Sequence, residues 1–418
     1  MKEAKSSCRH RHAESVPKGL GVSMCQFPRG RSSRATAGRR MSKRRVHALP
    51  SSLRPKLRPC GPSEYLEGEW REAVDSAMPV LPPCCGWDDL DYRWPRPRPR
   101  PSVCTNATPE QGVLQSATFG KVPKVGSHAC SCTRFTDRLR WVPSKCLLRE
   151  WDIREFCTLL GQRRILFVGD STMQQTANAV MSQVVWDLAQ LDSAELEKAS
   201  LSGCETRLSF GPSDQLLPTS ETQKLRRGGR HTLLHWVRTA QASIVILSTG
   251  AHVRHMPEFQ SIVRGIHNLS STEPELNGVK LIWKTQQPAG CASQPLESMP
   301  GAGYWESARG DPGIAARVRC ESLWGRCHNN SHGMLYNWPE FLERDAFAMK
   351  YVAGVAGKGA GGARPMPVLD LRPLYRRADA HVGSQQRGSV DCLHFCMPGP
   401  LNTLVPQLLL HLMRSAGI

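Results

Sequence analysis

Two short stretches carry residue types that together can move an acyl group. One is Gly169-Asp170-Ser171; the other, far downstream, is Asp391-Cys392-Leu393-His394. A serine hydroxyl becomes a useful nucleophile when a neighbouring imidazole takes its proton. An acid three residues ahead of a histidine shares a face with it in a helical turn or tight loop. Asp391 would then hold the Nδ1–H of His394 and leave Nε2 to accept the Ser171 proton. Each stretch also has a plainer reading. Ser171 can be a helix cap or part of a phosphate-binding turn. Asp391 and His394 can be a structural pair, and Cys392, His394 and Cys396 can be metal ligands, although no fourth ligand stands at local spacing.

The elements that must position these residues are legible around Ser171. Ile165 to Val168 is a four-residue apolar run, the pattern of a short buried strand in a parallel sheet. Gly169 ends it, Asp170-Ser171-Thr172 suit a helix start, and Met173, Ala177, Val180, Val184 and Leu188 recur at helical spacing. This predicts a strand–turn–helix with the Ser171 hydroxyl above the sheet. Backbone N–H groups at the helix start would face the oxyanion formed there. Elsewhere Asp152 can cap a helix through Leu160, Ser243–Ser248, Val279–Lys284 and Val368–Leu371 read as strands, and helical segments fall near 258–269, 339–354 and 401–413. Alternating strands and helices predict an α/β fold with a central parallel sheet covered on both faces. Ligands of such sheets sit beyond the carboxyl ends of the strands, where Ser171, His252 and Gln286 would gather.

The formal charge of +19 would suggest a polyanion partner if it were spread over the chain, but residues 1–60 hold 16 Lys/Arg against two acidic residues. The charge belongs to a leader, and no nucleic-acid partner is expected for the body. Residues 1–80, rich in Arg, Ser and Pro, are expected to be a basic, mostly disordered segment. Residues 81–160 form a cysteine-dense, irregular lobe in which Trp94–Pro101, alternating Pro with Arg, is an extended spacer. Residues 161–418 are expected to form the α/β domain that carries both motifs. Trp141 is open to two readings, a packing residue or a carbohydrate platform. Sixteen cysteines without paired C-x-x-C motifs predict disulfides and an oxidising compartment. Sequons at Asn106, Asn268 and Asn329 agree with that. No apolar run reaches membrane-spanning length, and no signal-peptide core is visible in the leader, which reads as transit-like unless the true start lies elsewhere.

With both motifs in view, the chain resembles the trichome birefringence-like / PC-esterase family, which pairs Gly-Asp-Ser with Asp-x-x-His in an SGNH/GDSL-type three-layer sandwich. The resemblance spans roughly residues 84 to 415 and includes Arg140-Trp141 to Cys146, Arg377 to His381 and Asp391 to Gly399. It implies O-acetyl transfer to polysaccharide hydroxyls in the Golgi lumen, with Ser171 as nucleophile, His394 as base and Asp391 as orienting acid. Gly169, Asp170, Gly203, Gly250 and His252 would line the oxyanion and substrate side. An acetyl donor such as acetyl-CoA is the implied co-substrate, a polysaccharide or oligosaccharide the acceptor, and no resident cofactor or metal is implied; membrane association is left open. Where the family has Asn-Thr-Gly-His-Trp after the second strand, this chain has Ser248-Thr249-Gly250-Ala251-His252-Val253. A carbohydrate acetylesterase of the same fold and a catalytically silent glycan-binding protein are the alternatives.

Overall fold

Alternate residues of the central strands enter two separate hydrophobic cores, which is why the chain folds in layers. The computed structural model describes residues 57–72, 139–189, 191–198, 201, 203–217, 232–253, 255–289, 340–353, 365–381, 393–395 and 399–418. All belong to one unit, Pro55–Ile418. Strands β3 (Ile165–Gly169), β4 (Leu208–Pro212), β5 (Ile244–Leu247), β6 (Lys280–Lys284) and β7 (Val368–Leu369) form a parallel sheet in the order β4-β3-β5-β6-β7. Successive strand side chains point to opposite faces. Ile165, Phe167, Ile244, Ile246, Ile282 and Leu369 therefore pack on one side, while Leu166, Val168, Val245, Leu247, Leu281 and Trp283 pack on the other.

The first core is covered by helices α1 (Ile153–Leu160), α2 (Ser171–Ala189) and α7 (Pro400–Ser415). The second is covered by α4 (Leu233–Ala240), α5 (Met256–Thr272) and α6 (Phe341–Val352). A short α3 (Ser193–Lys198) follows α2. Side chains buried completely, such as Phe156, Phe167 and Leu409, each contribute about 1.5–3 kcal/mol relative to exposure. Asp152 caps α1 by accepting from the N–H groups of Arg154 and Glu155. The Asn402 side chain accepts from the Gly399 N–H at the start of α7. No helix among the described residues is long and apolar enough to cross a membrane.

The expected strands and helices are present, with β7 confined to two residues. Several elements were not anticipated, among them α3, α4 and the strand β2 (Leu139–Pro143). The edge strand β4, Leu-Ser-Phe-Gly-Pro, ends in residues that ordinarily break strands, and it pairs on one side only. Residues 57–72, assigned from composition to a disordered leader, instead carry a 3₁₀ turn (Glu64–Leu66) and strand β1 (Gly68–Glu72). β1 pairs antiparallel with β2 (Leu139–Pro143). Trp141 in β2 is buried, with its indole N–H donating to the Tyr65 carbonyl at 2.6 Å. It is a packing residue and offers no platform to a sugar. Disulfides Cys60–Cys146 and Cys157–Cys204 staple these peripheral pieces together. Trp94–Pro101, Asn106, Asn329, Asp391, Cys392 and Cys396 lie outside the described residues.

Candidate active site

The chain leaves β3 for β4 on one side and β5 on the other, so the topology reverses at β3. In open parallel sheets the crevice at the carboxyl ends of the strands flanking such a reversal is where ligands bind. Ser171 stands there. It is the first residue of α2, and Asp170 supplies the cap: its Oδ1 accepts from the Thr172 N–H at 2.9 Å and the Thr172 hydroxyl at 2.7 Å. Gly169 is required by close approach. A Cβ there would fall 2.6 Å from the Ser248 carbonyl oxygen and 2.7 Å from the Met173 Cβ.

His394 Nε2 lies 2.8 Å from Ser171 Oγ across 223 positions of sequence. Both side chains are half-buried, so solvent or a ligand can reach them. With the imidazole proton on Nδ1, Nε2 accepts the hydroxyl proton, the arrangement a base needs towards a nucleophile. The segment holding His394 is anchored on both sides. Gln175, one turn along α2 from Ser171, bonds the backbone of Phe395. His381 bridges antiparallel to Phe395, and its ring packs against the Phe395 ring with the centroids 4.2 Å apart and the planes tilted by 31°. The His381 ring nitrogens lie 3.2 Å from the Ala378 carbonyl oxygen and 3.0 Å from that of Pro288.

The other expected residues divide. Gly250 and His252 follow β5 and so sit at the carboxyl edge beside β3. A Cβ on Gly250 would meet the Gln286 side chain at 2.1 Å, and the Gly250 carbonyl accepts from Arg344 Nη1 at 2.7 Å. The Gln286 N–H donates to Asp345 Oδ1 at 2.8 Å, and its side-chain amide donates to the Thr249 carbonyl. Gln286 is thus a strut between the β5 and β6 loops. Gly203 is a correction. It precedes β4 at the end where Leu208 pairs with Ile165, the amino edge of the sheet, with Cys204 bonded to Cys157 of α1. A residue there cannot serve an oxyanion at Ser171, because a full strand length intervenes. At the carboxyl end of β4 it is Ser213 that meets the site, donating its N–H to the Gly169 carbonyl at 2.8 Å.

Sequence reasoning missed the buried charges behind this edge. Lys284, the last residue of β6, and Asp345 of α6 are completely buried. Asp345 accepts from the Tyr375 hydroxyl at 3.2 Å. Burial pushes its carboxyl up to about 7, with a smaller contribution from the Asp370 charge. Burial and the Asp345 charge hold the Tyr375 phenol well above its ordinary range. A lysine at the end of an apolar strand, followed by Thr-Gln-Gln-Pro, was the available signal for these groups. No known family model and no curated protein matches this chain.

Proposed function

We propose that this protein is a serine-dependent O-acetyltransferase acting on polysaccharide hydroxyls, built on an SGNH/GDSL-type three-layer sandwich. The observation that carries the reading is the 2.8 Å approach of His394 Nε2 to Ser171 Oγ at the topological switch point of the sheet. The half-exposed hydroxyl at a helix start supports it, since the positive end of α2 favours negative charge on a bound carbonyl. The sequence resemblance supplies the acyl group and the acceptor class. The disulfides agree with an oxidising lumen such as the Golgi.

In the first half-reaction His394 Nε2 removes the Ser171 proton as Oγ attacks the acetyl carbonyl. The tetrahedral oxyanion faces the backbone N–H groups at the start of α2. His394 returns the proton to the departing group, leaving acetyl-Ser171. In the second, His394 takes a proton from a sugar hydroxyl, whose oxygen attacks the acetyl carbon and releases Ser171. Asp391 would orient Nδ1 of His394. Water in place of the sugar makes the same site an esterase, so exclusion of water from the acceptor side decides the outcome.

Intact-mass analysis after exposure to an acetyl donor, with and without an oligosaccharide, tests the reading. An acetyl adduct on the Ser171 peptide that is discharged onto sugar is the expected result. Absence of any adduct on Ser171 rejects it, and discharge to water alone replaces transferase by esterase.

A further inference from the structure

Two consecutive carbonyl groups beyond the end of β5 are held by side chains from other elements. The Gln286 side-chain amide donates to the Thr249 carbonyl. Arg344 Nη1 donates to the Gly250 carbonyl at 2.7 Å, and the Val253 N–H shares that oxygen at 3.1 Å. Gln286 reaches its partner only because residue 250 is glycine, since a Cβ there would fall on the Gln286 amide. A trans peptide is planar with its N–H and C=O opposed, so fixing each carbonyl fixes the direction of the next N–H. β5 lies between β3 and β6, and Gln286 follows β6. The Gly250 N–H is therefore turned towards β3. Arg344 belongs to α6, on the face opposite α2, where its guanidinium lies 5.5 Å from the centre of the Phe259 ring. The Ala251 N–H is therefore turned towards the α2 face.

Both N–H groups belong to buried residues, and neither donates to an acceptor among the described residues. Buried backbone donors are almost always paired, so two free ones in succession point to an acceptor that arrives with a ligand. Ser171 stands on the side they face. The Ser248 N–H donates to the Val168 carbonyl at 3.2 Å, and a Cβ on Gly169 would fall 2.6 Å from the Ser248 carbonyl oxygen. The two chains thus run side by side at Gly169 and Ser248, and Ser171 and Gly250 each follow two residues later. We propose that the Gly250 and Ala251 N–H groups receive the oxyanion formed at Ser171, and that Gln286 and Arg344 are the positioning residues that aim them. The proposal rests on the Ser171–His394 reading. A glutamine serving only to join two loops would be replaced by methionine at no kinetic cost.

Kinetics on the full chain test it, with 4-nitrophenyl acetate as the probe and the rate constant for acylation of Ser171 as the readout. Gln286→Met should lower that constant about 30-fold, because a displaced oxyanion donor is missed only in the transition state. The same variant should weaken the binding of benzeneboronic acid by a similar factor, since its adduct on Ser171 puts an oxygen where the oxyanion forms. The pH midpoint of acylation, set by His394, should not move. Arg344→Lys keeps a charge beside Glu340 but withdraws the donor from Gly250. It should act in the same direction, and it serves if the methionine variant does not fold. A folded variant that acylates within about threefold of native overturns the proposal, as does a lower rate with unchanged boronate affinity. No acylation in the native protein rejects the Ser171 assignment and the proposal with it, whereas native acylation with unaffected variants rejects the aiming of the turn alone.

Discussion

Gln175 holds both polar groups of the Phe395 backbone: its Nε2 donates to the Phe395 carbonyl at 2.8 Å, and its Oε1 accepts the Phe395 N–H at 3.0 Å. The residue at one end lies four positions after Ser171, and the residue at the other lies next to His394. The clamp therefore fastens the helix carrying Ser171 to the segment carrying His394. It is buried on both sides, so neither backbone group has water to fall back on.

Gln175→Ala should free the His394 segment and leave the Phe395 N–H and carbonyl unsatisfied, at about 1–3 kcal/mol of stability. The kinetic effect should be larger than the structural one. A misplacement of the imidazole by about 1 Å lowers kcat on the order of 100-fold, while KM stays within about twofold because the substrate contacts are intact. Steady-state kinetics on an ester substrate, read beside thermal melts, separates the two. Equal changes in KM and kcat would mean that Gln175 acts on substrate binding instead.

Ser171→Ala and His394→Ala should each reduce turnover of an ester substrate to the same residual rate, and the double variant should be no slower. On the proposed mechanism the two groups act as one unit, so removing either leaves only binding and the helix start, worth about 10³-fold over water. Additive losses would dissociate the pair.

Asp345 gives the fold a pH dependence of definite sign. Burial raises its carboxyl to about 7 in the folded protein, whereas the unfolded chain releases that proton in the ordinary carboxylate range. Between those values the native state binds more protons. The contribution of Asp345 is therefore fully present at low pH and is lost as pH rises through about 7. Asp345→Asn, which keeps an oxygen for the Gln286 N–H, should be roughly 3–4 kcal/mol more stabilising relative to native at pH 8 than at pH 4. Denaturant melts at the two pH values measure the difference. A difference that does not change with pH would show the carboxyl to be ionised throughout.

The Cys157–Cys204 disulfide spans 47 positions, and removing it with Cys157→Ala/Cys204→Ala should cost about 4 kcal/mol through the entropy of the unfolded chain. The bond and Gly203 lie at the amino edge of the sheet, so the acylation rate below the melting transition should be unchanged. A selective loss of acylation in a folded variant would return Gly203 to the active site.

The strand–turn–helix at Ser171 was written into its own residues, 165–188. An apolar run, a glycine, an aspartate that caps and a 3.6-residue period are local signals, and each acts within a turn or two of chain. The same holds for α1 behind Asp152, for β5 and β6, and for α7, and from their alternation the parallel sheet follows. Other features had no local signal to read. Strand β4 exists because β3 offers it a free edge, despite Gly211 and Pro212. β1 exists because β2 and the Cys60–Cys146 bond hold it. The order of the strands placed Gly203 at the amino edge of the sheet, away from Ser171, brought Gln175 against the Phe395 backbone, and buried Lys284 at the end of β6. Periodicity describes what a segment shows to its own neighbours; the partner on the far side of a sheet or helix is chosen by burial and hydrogen bonding across more than two hundred positions.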